Sequence, residues 1–424
     1  MLIIFFISLV VLMFMSVPIA VALGLATALG IGMHETLPLM TVAQRIFISI
    51  NSFPLMAIPF FILAGNLMQV GGLSKRLVNF ASSLVGHFTG GLAMVAIITS
   101  MFFAAISGSG AATTAAIGAI LIPAMIAKGY SKEYASANQA VSGALGVIIP
   151  PSISLILYGV VAGVSVSELF IAGVFPGLVI VVSLLIMAYV VSKRNGYTGM
   201  EKSTPKEIFT AFRKSIIALL MPVVILGGIY GGYFTPTEAA VVAVFYGFVV
   251  GVFIYKEIKI KQLYKVLVDS AVTTAIVMII IGTAGLFSFY ISITGVPELI
   301  MTLISGLTTN AIIFLLIINL VLLIAGMFFD GAAAILIFTP LFLPAAISFG
   351  IDPVHFGIII VVNLAIGLVT PPVGLNLFVA AQISGISFSR LSKAIMPFIV
   401  ILIVDILIIS YVPAISLWLP GFLE

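Results

Sequence analysis

Four interruptions in otherwise apolar sequence hold the residues best placed to do chemistry. They are Ser107-Gly108-Ser109-Gly110, Pro150-Pro151, Phe328-Phe329-Asp330-Gly331 and Pro371-Pro372. Non-helical backbone at mid-membrane is tolerated only where protein buries it or water lines it. A helix that stops before Pro150 or Pro371 leaves carbonyls without an intrahelical partner, and the negative end of its dipole adds to them. Such oxygen-only ligation suits a small hard cation such as Na⁺. The candidate ligands are Ser107, Ser109, Gly146, Ile149 and Pro150 in the first half, and Gly326, Gly367 and Thr370 in the second. They would act through backbone oxygen and, for Ser and Thr, hydroxyls. Helices that start after the two tips present N–H groups instead, which favour an anion such as a carboxylate. Ser107, Gly108, Gly110, Asp330 and Gly331 are therefore candidates for substrate contact.

Further polar residues lie nearby. Asn363 and Ser142 occupy equivalent places before the two Pro-Pro pairs, where facing the site and capping a neighbour are equally open roles. Asn376 follows the second break and can hydrogen-bond substrate. Asp330 can sit beside a cation or cap its helix, with capping favoured. Glu238, in Thr235-Pro236-Thr237-Glu238, reads as a cap, a role Thr237 can share; Asp269 and Asp405, near helix ends, read as structural.

These breaks recur. Under one shift of 221 residues Gly110 falls on Gly331, Pro123 on Pro344, Gly129 on Gly350, Gly146 on Gly367, Pro150-Pro151 on Pro371-Pro372, and Pro176 on Pro397. Shared Gly and Pro positions mark shared backbone geometry, and paired broken segments in two halves are the usual sequence pointer to a transporter binding site.

The elements that position these residues must cross a membrane. Hydrophobic residues make up 62% and charged residues 7%, in apolar runs too long and numerous for a soluble core. The alternating short segments of a transmembrane barrel are absent. Without cysteine there is no thiolate metal site or disulfide, and no transition metal is expected. The net charge of +4 sets topology and gives no sign of nucleic-acid binding. Sixteen of the 17 basic residues fall in five clusters: Lys75/Arg76, Lys128/Lys132, Lys193 to Lys214, Lys256 to Lys265, and Arg390/Lys393. Each is assigned to the cytoplasmic side. The exception, Arg45, sits on an outer segment, 36–51, and can snorkel from it.

The fold that follows is an all-α polytopic membrane protein with two inverted repeats. The first, 1–192, holds crossings at 2–15, 17–33 and 52–70, a re-entrant hairpin at 90–128, a broken helix at 133–163 and a return at 168–192. The polar stretch 193–215 is a cytoplasmic linker. The second repeat, 216–424, holds crossings at 216–234, 238–255 and 266–291, a hairpin at 310–348, a broken helix at 353–383 and a last helix at 394–414. That makes ten crossings with both termini outside. The N-terminus reads as a membrane helix, lacking the basic start and cleavage site of a signal peptide. Trp418 stands where an interfacial anchor belongs.

The strings FFAAISGSGAATTAAIGAILIPAM (102–125), GVIIPPSISLILYG (146–159), GIYGGYFTPTEAAVVAV (228–244) and GLVTPPVGLNLF (367–378) resemble the large membrane subunit of TRAP transporters. The similarity runs from about Val17 to Pro413. It implies tripartite, ATP-independent uptake of an organic acid into a bacterium through the inner membrane, driven by Na⁺ as coupling ion and needing no other cofactor. It implies two protein partners: a periplasmic substrate-binding protein and a small four-helix membrane subunit, here expected as a separate chain. The family's ion and substrate sites map to Ser107 through Gly110, Gly146 through Pro151, Gly326 to Gly331, and Gly367 through Pro372. An elevator mechanism is implied, with hairpins and broken helices sliding against a scaffold. Specificity rests largely with the capture protein, so sialic acid, C4-dicarboxylates and other carboxylates are all candidate solutes.

Three other readings compete. A binding-protein-independent Na⁺/carboxylate symporter or antiporter would share the architecture. An intramembrane serine protease could use Gly108-Ser109-Gly110, but it needs a nearby base. His34, His87 and His355 are assigned outside the spans, and no HExxH or paired-aspartate motif is present, so no enzyme is expected. A passive structural subunit would have no use for costly backbone breaks.

Overall fold

The computed structural model describes residues 2–34 and 37–422. Residues 1, 35, 36, 423 and 424, including the start of the outer segment 36–51, lie outside the described residues. Within them every regular element is helical. The short helices α1 (Leu2–Phe14) and α2 (Ile19–Gly32) join through Ser16, whose φ of 59° is left-handed. At 13 and 14 residues each spans about 20 Å, short of the ~30 Å hydrocarbon core. Next comes α3 (Met40–Ile50), on which the Arg45 guanidinium lies 3.8 Å over the Phe289 ring. A 3-10 turn leads into α4 (Ala57–Val70).

An unanticipated helix, α5 (Leu73–Val85), follows. It buries Leu73, Leu77 and Ala81 at i, i+4 spacing while Lys75 and Asn79 stay exposed. The first hairpin is α6 (Gly91–Ser107) and α7 (Gly110–Ala127). The first broken helix is α8 (Lys132–Ile148) and α9 (Ile153–Ala162), bent by 40° at the break. The return helix is α10 (Val166–Arg194).

Helix α11 (Pro205–Tyr230) starts inside the polar stretch 193–215. Pro205 fills the first helical position, and Thr204 and Glu207 form a capping box there, so only residues 195–204 lie between helices. The Thr-Pro-Thr-Glu turn repeats this chemistry at α12 (Pro236–Val249): Thr235 caps, and Glu238 accepts from the Thr235 N–H at 2.8 Å. Thr237 instead donates its hydroxyl to the Phe53 carbonyl (3.2 Å), tying α12 to the 3-10 turn before α4.

After a π turn come α13 (Ile260–Ile293) and a second unanticipated helix, α14 (Val296–Leu307). The second hairpin is α15 (Ala311–Phe328) and α16 (Gly331–Ser348). Its broken helix is α17 (Pro353–Gly367) and α18 (Leu375–Ser384), before α19 (Phe388–Ala394) and α20 (Met396–Tyr411). Thus short helix, hairpin, broken helix and closing helix occur twice in the same order, and both Pro-Pro bonds are cis. Eight helices of the described residues are long and apolar enough to cross a membrane, ten if each bent pair is one span. The sequence count of ten divides the chain differently, taking α1, α2 and the broken helix α17–α18 as crossings and α7, α15 and α16 as hairpin arms.

The second arms of the broken helices are exchanged. Helix α9 packs on α16 and α17, and α18 packs on α7 and α8. The Tyr158 hydroxyl on α9 donates to the Pro353 carbonyl at 2.6 Å. Two polar residues sit differently from the sequence expectation. His355 lies in the first turn of α17, buried, with Nε2 3.2 Å from the Ser410 carbonyl. Asp405 lies within α20 rather than near its end, buried, and accepts a 2.6 Å hydrogen bond from Ser183. Asp269 is exposed on α13, and Trp418 is exposed beside Phe175 and Phe422.

Candidate functional site

The first tip is stitched by its own hydroxyls. Gly108 ends α6 with a left-handed φ of 61°, and Ser109 N-caps α7, its hydroxyl accepting from Ala112 N at 3.4 Å. Thr113 donates to the Ser109 carbonyl (2.8 Å), and its Oγ1 lies 2.8 Å from the Ser107 hydroxyl. The Gly108 carbonyl accepts from Ile153 N, linking the tip to the start of α9. Helix α8 backs this tip so closely that a Cβ on Gly146 would stand 2.4 Å from the Ser109 carbonyl oxygen.

The second tip has the same plan with a charge added. Asp330, the shift partner of Ser109, N-caps α16 and accepts from Ala332 N at 3.1 Å. A carboxylate there is favoured by the helix dipole. Behind it α17 meets α15 backbone to backbone: a Cβ on Gly367 would lie 2.4 Å from Gly326.

Both tips open on one cavity of about 310 Å³. Ser107, Gly108, Ser109 and Gly110 line one side, Asp330 and Gly331 another, with Val147, Ile153 and Ser154 from the first broken helix and Leu368 and Leu375 from the second. The remaining wall is α4 (Ile62, Gly65, Asn66, Gln69) and α13 (Thr273, Val277). Asp330 is the only charged side chain among the lining residues. The first N–H groups of α7, at Gly110 and Ala111, have no intrahelical partner and lie at this cavity, whereas those of α16 are taken up by the Asp330 carboxylate. It offers N–H groups to an anion and hydroxyl, carbonyl and carboxylate oxygens to a cation.

The other candidates stand behind this wall. Gly146, Ile149, Pro150, Gly326, Gly367 and Thr370 do not line the cavity. Thr370 donates its hydroxyl to the Ile366 carbonyl (2.7 Å) and its N–H to that of Gly367 (3.0 Å). Ser152 donates to the Val147 carbonyl, so part of the oxygen freed by each break is already engaged. Asn376 is fully buried against Gly110 and donates to the Ala140 carbonyl at 3.3 Å, joining the second broken helix to the first. Asn363 points elsewhere. Its amide donates to Asn319 Oδ1 at 2.7 Å in a buried network that also holds Ser410 and His355. Ser142 donates to Asn138 of its own helix at 2.6 Å.

Sequence reasoning missed the polar groups on the α4 and α13 wall: Asn66, Gln69 and Thr273. Asn66 donates to Ser270 at 2.8 Å and so ties α4 to α13. Polar residues at i and i+3 in the apolar helix 57–70 were the available signal.

Comparison with known proteins adds an independent finding. The family description "Tripartite ATP-independent periplasmic transporter, DctM component" matches residues 6–415. The chain is 48% identical over 406 residues to the isethionate TRAP transporter permease protein DctMQ of Oleidesulfovibrio alaskensis, covering 96% of this chain and 64% of that protein. It therefore spans just under two thirds of that relative's length. It is 41% identical to the C4-dicarboxylate TRAP transporter large permease protein DctM of Rhodobacter capsulatus, over 98% of each. Identity is 36% to the sialic acid TRAP transporter large permease protein SiaM of Vibrio cholerae, over 89% of this chain and 88% of that one. Among solved structures, the YdaH transporter of Alcanivorax borkumensis shares the fold, with a TM-score of 0.67 over 90% of each chain at 14% identity.

Proposed function

Since the chain belongs to the DctM-component family of tripartite ATP-independent periplasmic transporters, we propose that it imports a small organic anion, driven by Na⁺. The protein is a transporter permease rather than an enzyme, a multi-pass membrane component of a tripartite system. The observation that carries the proposal is the single cavity shared by the two tips. An anion entering it meets the N-terminus of α7, whose first N–H groups suit a carboxylate or sulfonate. It also meets Asp330, a negative charge with no basic side chain among the lining residues to offset it. A coupled cation offsets that repulsion, and hard oxygen ligands around the tips and breaks suit Na⁺. In this reading the carbonyls behind the cavity, at Gly146 to Pro150 and Gly367 to Thr370, hold the ions, and the tips hold the solute.

The solute class follows the relatives: C4-dicarboxylates, sialic acid or isethionate. A periplasmic protein delivers it, and a small membrane subunit on a separate chain completes the assembly in the bacterial inner membrane. The two repeats lie inverted, with the basic clusters cytoplasmic and the termini periplasmic. Hairpins and broken helices move together as an elevator against α4 and α13, the wall that closes the cavity from the other side. Small residues suit that seam, where Gly65 of α4 approaches Ser107 at the tip.

Uptake by proteoliposomes tests the reading. The chain is reconstituted with its small subunit, with and without the soluble protein, and given labelled organic acids under an inward Na⁺ gradient. Uptake that needs both the gradient and the soluble protein is expected. Uptake by the chain alone on free solute would replace the tripartite reading with an ordinary symporter.

A further inference from the structure

A second concave site lies far from the tips in sequence, where α5, α11 and the turn after α12 meet. It encloses about 530 Å³ and is lined by Lys75, Arg76 and Asn79 of α5, Arg213, Lys214 and Ser215 of α11, and Tyr255 and Glu257 beyond the π turn. Four cations face one anion. One of the four is fully occupied: Arg76 pairs with Glu257 at 2.7 Å, donates to the Gly72 carbonyl at 2.9 Å and stacks 3.6 Å over the Tyr255 ring. The other three, Lys75, Arg213 and Lys214, are exposed and form no ion pair among the described residues. Two close contacts hold the framework that gathers them. Ser215 donates to the Arg76 carbonyl at 2.8 Å, tying α11 to α5. Gly72, with φ of 74°, leaves room for the Glu257 carboxylate, against which any side chain would collide.

Three unpaired cations converging on a preformed cavity are costly in the absence of an anion, because like charges repel. Topology alone does not require them to converge; dispersed lysines would serve retention equally well. The surroundings identify the anion's source. The cavity lies against the second to fourth turns of the membrane-length helix α11 and just past the end of α12 and its π turn, and Phe212, Phe253 and Ile254, chain neighbours of its lining residues, are exposed. A free oxyanion gains nothing from that apolar rim, whereas a phospholipid places acyl chains along it and its phosphate among the cations.

We propose that this cavity binds the headgroup of an anionic phospholipid, which braces α5, the helix that leads into the first hairpin, against α11. Each Lys or Arg at such a site is worth about a fivefold change in affinity, so loss of three is worth roughly 100-fold.

The test uses the purified full-length chain in detergent, titrated with dioctanoyl phosphatidylglycerol, dioctanoyl phosphatidylcholine or sodium phosphate. Native mass spectra count bound lipid, and thermal midpoints report stabilisation. Phosphatidylglycerol is expected to bind and raise the midpoint, and the other two to do neither. The triple variant Lys75→Gln/Arg213→Gln/Lys214→Gln is expected to bind roughly 100-fold more weakly. A control with equal charge loss outside the cavity, Lys128→Gln/Lys132→Gln/Lys393→Gln, is expected to bind as the parent does. Should the first triple fail to fold, Lys75→Gln and Arg213→Gln singly are each expected to weaken binding about fivefold. Equal weakening in both triples would reduce the effect to general surface charge. Stabilisation by phosphate alone would make the cavity a soluble-anion site, and unchanged binding in the cavity variants would remove it altogether.

Discussion

Gly146→Ala is the sharpest probe of the arrangement around the first tip. A Cβ at this position would lie 2.4 Å from the Ser109 carbonyl oxygen, 2.7 Å from its carbon and 2.6 Å from Thr113 Oγ1, where ordinary contact begins at 3.4 Å. Two of the three atoms are backbone of the tip itself, so no rotamer change relieves the clash. The tip and α8 must part by about 1 Å, in an interior packed at crystal-like density. Overpacking of this kind costs about 1–3 kcal/mol, which is roughly a 5- to 150-fold loss of the state with Ser107 to Gly110 in place around the cavity. Because Gly146 does not line the cavity, the alanine methyl cannot touch solute; any loss comes through the displaced tip. The assay is the initial rate of Na⁺-driven uptake in proteoliposomes, beside the thermal midpoint in detergent. Gly227→Ala is the control, since its Cβ would meet nothing within 4 Å, and it should match the parent. A Gly146→Ala protein with parental uptake and parental midpoint would refute the close packing of α8 on the tip.

Gly331→Ala should behave in the opposite way. Its Cβ meets nothing within 4 Å but enters the cavity, so the midpoint should hold while the concentration for half-maximal uptake rises about tenfold. Asp330→Asn keeps a side-chain oxygen to accept from Ala332 N but removes the cavity's only charged side chain. Folding should survive, and the dependence of uptake on Na⁺ concentration should shift or vanish; an unchanged Na⁺ curve would detach the carboxylate from coupling. Asn363→Ala leaves Asn319 short of a partner in a buried network and should lower stability by about 1–3 kcal/mol, read as a fall in the midpoint. Half-maximal uptake should stay put, because Asn363 does not face the cavity.

What was legible in the sequence was the part written in backbone constraints. Gly110 is demanded by the close approach of Val147 and Asn376, and the Pro-Pro pairs make the breaks; with Gly331 they recur at one shift and mark both hairpins and both broken helices. The short helices α5 and α14 left no such mark: Lys75 and Arg76 on α5 read as loop charges because basic clusters also flag loops. Helix facing was equally hidden. Asn363 lies one turn before Gly367 and so shares the side of α17 that packs on α15, not a side that meets solute. The α4–α13 wall left only the i, i+3 spacing of Asn66 and Gln69 as a mark, because these residues and Thr273 gain meaning only when two distant helices close over the tips. Asp330 and Glu238 were assigned capping roles on chemistry alone, and both accept backbone N–H groups where that chemistry puts them.

The exchange of second arms between the two broken helices has a consequence for how the chain is made. When the ribosome has finished α10, helices α7 and α8 still lack α18, the neighbour that fills the space against Gly118 and supplies the amide beside Gly110. Helix α9 likewise waits for α16, α17 and the Pro353 carbonyl that its tyrosine needs. The first half thus leaves the insertion machinery with two unfinished surfaces and matures only after nearly all of the second has been synthesised. A chain truncated after α10 therefore exposes the faces of α7, α8 and α9 that α16, α17 and α18 cover in the whole protein.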